Sequence, residues 1–207
     1  MKTTILFFLT ILSLVGCSKN DDSIPPDSLS KLPSETQTGA NTFGCFINGN
    51  LLIPRSGTGT VGATDYAMVV WGGYPTGTEY NEIEVHDYKS TRTASILIHI
   101  QNLFQLGESN YIIDESNGMI SIDGLNHNYM HCRIFNPITN SYQYYRSFNN
   151  SGIIKISNFD FIPYEKKIIS GTFTCKMKNS INPADVIEIT SGRFDINGYT
   201  LLTKVFP

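Results

Sequence analysis

Much of this chain is written in period two. From Phe43 onward, apolar residues recur at every second position in short runs, and almost nowhere at the three-and-four spacing of an amphipathic helix. In the clearest run, Phe173, Cys175 and Met177 face one way while Thr172, Thr174, Lys176 and Lys178 face the other. Ile83 and Val85 alternate with Glu82, Glu84 and His86, and Ile96, Ile98 and Ile100 alternate with Ser95, Leu97, His99 and Gln101. Phe43, Cys45 and Ile47 lead into Asn48-Gly49, the commonest two-residue hairpin turn, and Leu51 and Ile53 follow before Pro54. Tyr66 to Trp71 is continuously apolar, as in a central strand.

Further strands are predicted near residues 111–113, 119–122, 129–135, 142–148, 153–157, 186–190, 193–196 and 199–205, with one short helix near 102–106. Gly, Asn, Asp and Pro turns join them. The expectation is an all-β fold, a single antiparallel β-sandwich or flattened barrel, and the pattern does not separate the two. No repeat of solenoid period is present.

The first residues follow a different rule. Lys2 precedes the apolar run Ile5 to Val15, which is shorter than the ~20 residues a membrane span needs, so residues 1–16 read as a signal peptide. Leu14-Val15-Gly16-Cys17 matches the bacterial lipobox, in which a small residue precedes a cysteine that is lipidated and becomes the new first residue. Cys17 is therefore the expected lipid-attachment site, carrying a diacylglyceryl group and an N-acyl chain such as palmitate. Each buried methylene adds about 0.8 kcal/mol, so several chains anchor where one would not. Residues 17–41 are rich in Ser, Pro, Asp, Thr and Gly and read as a flexible tether. The β domain then spans residues 42–207, a normal size for one domain.

Composition excludes two classes. Fifteen basic against 18 acidic residues, −3 in all and without blocks, offers no footprint for nucleic acid. Twelve Phe and 11 Tyr supply more burial than a disordered chain carries.

Ser151-Gly152-Ile153-Ile154-Lys155-Ile156, Ile169-Ser170-Gly171-Thr172-Phe173-Thr174 and Ile189-Thr190-Ser191-Gly192-Arg193-Phe194-Asp195 resemble the end of a family of Bacteroidetes lipoproteins that form a domain of unknown function. Residues 39–49 resemble the way such proteins begin after their tether, and Ser18-Lys19-Asn20-Asp21-Asp22 resembles their acidic export signal, interrupted by Asn20. The resemblance implies an exported protein of the cell envelope, lipid-anchored at the outer membrane on its surface or periplasmic face. It implies no catalytic residue.

Candidate chemistry is sparse. Gly57-Thr58-Gly59-Thr60-Val61-Gly62 spells a dinucleotide fingerprint, but a β run follows it instead of the helix whose amino end would hold the pyrophosphate, so it reads as a loop. On a strand, His127 and His131 lie about 13 Å apart, too far to share an ion. No motif calls for a metal or a cofactor. Cys45, Cys132 and Cys175 read as buried thiols, with one disulfide among them the alternative. No Ser lies in a G-x-S-x-G elbow, and no Cys has a His on its own strand face. The candidate binding surface is aromatic: Tyr142, Tyr144, Tyr145, Arg146 and Phe148, with Trp71-Gly72-Gly73-Tyr74 a second candidate. Rings that pair an apolar face with a polar tip suit a glycan or a protein ligand. The leading expectation is a non-enzymatic envelope protein attached to the membrane through Cys17 and displaying one β domain. A glycan- or protein-binding module is the alternative, and a hydrolase with carboxylates assembled from distant strands is a further one.

Overall fold

The structure is a computed structural model that describes residues 32–59, 63–73, 79–90 and 94–207. Cys17, Tyr74, Gly62 and most of the tether lie outside the described residues.

The chain is all-β. Its strands are β1 (Thr42–Ile47), β2 (Asn50–Leu52), β3 (Gly57–Thr58), β4 (Thr64–Asp65), β5 (Met68–Gly73), β6 (Tyr80–Asp87), β7 (Ala94–Gln101), β8 (Asn110–Ile113), β9 (Tyr129–Asn136), β10 (Ser141–Ile162), β11 (Lys166–Asn179) and β12 (Val186–Asn197). One helical turn, α1 (Leu103–Leu106), follows β7. Ten strands form one antiparallel sheet in the order β2-β1-β12-β11-β10-β9-β7-β6-β5, with β8 paired to β10. The sheet curls into a half-barrel around one apolar core.

Alternation decides which side chains enter that core. Phe173, Cys175 and Met177 point inward and are buried, as the sequence predicts, while Thr174, Lys176 and Lys178 are exposed. Asn48 and Gly49 both take positive φ (46° and 75°), the two-residue turn that matches strand twist. That turn sets Cys45 opposite Leu52, so Leu52 enters the core while Leu51 and Ile53 on either side stay half-buried. Two glycines let core aromatics cross neighbouring strands. A Cβ on Gly192 would lie 2.6 Å from the Phe173 ring, and one on Gly171 3.0 Å from Phe194.

Several expectations change. The run 66–71, read as a central strand, falls mostly in β5 at the edge of the sheet. The strands expected at 142–148 and 153–157 are one 22-residue strand, β10, kinked where Asn150 takes a φ of 53°. Those expected at 186–190 and 193–196 likewise fuse into β12 across a bulge at Ser191. Residues 119–122 and 199–205 form no strand; each holds a 3₁₀ turn, at Ser121–Asp123 and Leu201–Thr203.

Residues 32–41, read from sequence as the end of the tether, pack on the body as a strap. Leu32 and Pro33 fill the space above Gly44, and Glu35 and the Pro33 carbonyl meet Arg193. The Asp195 carboxylate then accepts the N–H groups of Thr38, Gly39 and Ala40 at 3.1, 2.8 and 3.0 Å. It also accepts the Thr36 hydroxyl at 2.5 Å and the Ser170 hydroxyl at 2.7 Å. Burial alone would raise this carboxyl, but those donors outweigh it and bring its pKa to about 2.

At the other side, β6 runs beyond β5, and its free edge takes up Arg55. The Arg55 N–H donates to the His86 carbonyl, and its guanidinium grips Asp87 through Nε at 2.8 Å and Nη2 at 2.5 Å. The chain after β2 thereby ties the two ends of the sheet together.

Candidate functional site

The polar half of the alternation builds an outer face, and cross-strand register arranges it in rows. Trp71, Glu82, His99 and Tyr129 form one row. Glu84, Leu97, His131, Arg146 and Lys178 form the next, and His86, Ser95, Arg133 and Tyr144 the third. Phe135 and Tyr142 follow as a pair.

The segment between β8 and β9 folds back over this face. The Ser116 N–H donates to the Ser147 carbonyl at 3.1 Å, and the Ser121 N–H donates to Glu82 at 2.8 Å. The Tyr129 hydroxyl donates to the Met119 carbonyl at 3.0 Å. Gly118, at φ 78°, lies so close over Arg146 that a Cβ would come within 2.7 Å of its guanidinium. This is why residues 119–122 make no strand: their polar groups are spent on the sheet below and on the turn itself.

Under the loop, Glu82 is fully buried and accepts from His99 Nδ1 at 2.8 Å, from the Ser121 N–H and from the Trp71 indole. Burial would raise its carboxyl, but the hydrogen bonds from His99, Ser121 and Trp71 hold it below its ordinary value. His99 is stacked between Tyr80 and Tyr129, with ring centroids 5.5 and 4.2 Å away. Both Glu82 oxygens are engaged, so this row fixes the loop.

The second and third rows stay open as a groove of about 200 Å³, lined by Glu84, His86, His131, Arg133, Tyr144 and the loop's Ile120. Glu84 meets His86 at 2.8 Å, and the His86 ring stacks on Tyr88 with centroids 5.0 Å apart. Burial lowers His131 to about 4, and the nearby Arg146 pushes the same way against Glu82 and Glu84. His131 is thus a neutral ring at neutral pH, with Nδ1 3.3 Å from the Ser116 hydroxyl. Arg133 lies with its guanidinium carbon 4.4 Å from the Tyr142 ring centroid, and its buried Nε has no hydrogen-bond partner among the described residues. Neither Arg133 nor Arg146 pairs with a carboxylate among the described residues.

The structure divides the aromatic cluster expected from sequence. Tyr142, Tyr144 and Arg146 share the outer face, and Tyr144 is 52% exposed. Tyr145 points into the core, where its hydroxyl donates to Asp185 at 2.8 Å, so it offers no ring to that face. Trp71 stands at the far end, its indole N–H committed to Glu82. Glu84, His86 and Arg133 carry no site expectation from sequence, and His131 only the excluded metal pair with His127; alternation with core residues nonetheless places all four on the same face. A second cavity of about 400 Å³ opens at the mouth of the half-barrel, lined by Leu51, Leu52, Asp87, Ala94, Ile134 and Tyr145.

Cys45, Cys132 and Cys175 are buried free thiols, each raised by burial. A thiol held protonated in an apolar core is a poor nucleophile. No family model, curated protein or solved structure matches the chain.

Proposed function

We propose that this is a lipid-anchored cell-envelope protein that displays its half-barrel as a binding module and catalyses nothing. Leu14-Val15-Gly16-Cys17 behind an apolar run supports the anchor. Binding is favoured over catalysis by one observation: the groove carries an arginine with no carboxylate partner among the described residues beside an exposed tyrosine ring, whereas the second carboxylate a hydrolase would need, Glu82, is sealed. Polar groups that converge in a concavity beside an exposed aromatic ring are the makings of a recognition site. The outer membrane is the proposed location.

The anchor is tested by fractionating cells that express wild type or Cys17→Ala. Wild type is expected in the membrane pellet and extractable only by detergent, and the variant in the supernatant; wild type in the supernatant would defeat the reading. Protease applied to intact cells then separates the surface from the periplasmic face.

A further inference from the structure

We infer that the groove between the third row and the overlying loop recognises an acidic saccharide, a carboxylate-bearing sugar held by Arg133 with its ring stacked on Tyr144. This rests on the binding-module reading and names its ligand class. The inference starts from charge. Along the outer face, Arg133 on β9, Arg146 on β10 and Lys178 on β11 project side by side: Arg146 stands directly opposite Lys178 and one diagonal step, about 7–8 Å, from Arg133. The one carboxylate lining the groove, Glu84, is engaged with His86, and His131 between the arginines is neutral. Of the three cations, Arg133 lines the groove, and no carboxylate pairs with it among the described residues.

The hydrogen-bond inventory makes the same demand. A guanidinium carries five donors, and with the Arg133 Nε sealed, its terminal N–H groups are the ones a ligand in the groove can meet. The planar fork of arginine matches a carboxylate in two-point contact. Tyr142 backs Arg133 from one side and fixes its plane, while Tyr144, opposite Arg133 in register, presents an exposed ring. An aromatic face beside a carboxylate-binding arginine is what a sugar acid requires: ring C–H groups on the tyrosine, the acid group on the arginine. Glu84 and His86 remain as partners for hydroxyls. A nucleic acid would need a longer basic track than these three side chains.

Titration calorimetry of the lipid-free domain with trigalacturonate, neutral galactotriose and sodium sulfate tests this. Trigalacturonate is expected to bind saturably in the micromolar to millimolar range, and galactotriose at least roughly tenfold more weakly. Arg133→Gln and Tyr144→Ala should each weaken trigalacturonate roughly tenfold or more, while Tyr164→Ala, on an exposed turn far along the chain, leaves it unchanged. Circular dichroism establishes that each variant is folded. Equal binding of the two sugars would overturn the acidic-ligand inference and leave the glycan-binding reading intact. Sulfate competing as well as trigalacturonate would reduce the site to an anion site and overturn the saccharide. Saturable binding that ignores Arg133→Gln would overturn the site, and no saturable binding of either sugar would sink the saccharide ligand altogether.

Discussion

His131 and Asp195 carry opposite protonation chemistry to one consequence, that acid destabilises the fold in two separable steps. His131 is lowered from 6.5 to about 4, so the unfolded chain takes up a proton first as pH falls. Its contribution is present above about 6.5 and drains away between about 6.5 and 4, a loss of at most about 3 kcal/mol. Asp195 is lowered from 3.8 to about 2, so its contribution is present above about 4 and is lost between about 4 and 2, on the order of 2 kcal/mol. Chemical denaturation across pH should show both slopes. His131→Gln should flatten the upper one and Asp195→Asn the lower, and a wild-type profile flat from pH 7 to 4 would contradict the His131 assignment. Sequence made the outward side of these residues legible, because alternation alone places Glu84, His131 and Arg133 opposite the core. It could not show that the segment just before β9 would fold back over His131, and burial, not facing, is what lowers a histidine.

Among the elements, β11 and β6 could be read directly and β10 and β12 could not, for a physical reason. Alternation reports facing over a few residues, but a bulge slips the phase by one, so a long kinked strand reads as two short ones. Asn150 and Ser191, at positive φ, are where the phase slips. The 119–122 run shows the opposite failure: its apolar residues alternate acceptably, yet its backbone partners are Glu82 and its own turn, and it leaves no edge for a ladder. Strand interiors also record which residues had to be small. Gly192→Ala would push a methyl against Phe173 in the core, and should cost about 1–3 kcal/mol of unfolding free energy by denaturant titration. The same change at Gly49, where nothing lies within 4 Å, acts through its positive φ alone. A Gly192→Ala variant as stable as wild type would mean that the strand yields freely beneath the ring.

At the scale of the whole molecule, one core joins both halves of the half-barrel, and the three thiols sample it from β1, β9 and β11. Their accessibility should therefore be a single event. In the native domain, labelling by a thiol reagent should be slow, and as denaturant rises all three sites should open at the midpoint seen by circular dichroism. A cysteine that labels well before that midpoint would mark a half that unfolds on its own. The strap gives the molecule a mechanical order as well. Tension arriving along the chain from its amino end meets Leu32 and Pro33 above Gly44 first, then the Arg193 contacts, and then the five donors that residues 36–40 present to Asp195. Only after these yield does the pull reach the first strand of the sheet, so a drag that would otherwise peel β1 is spent on a replaceable mooring.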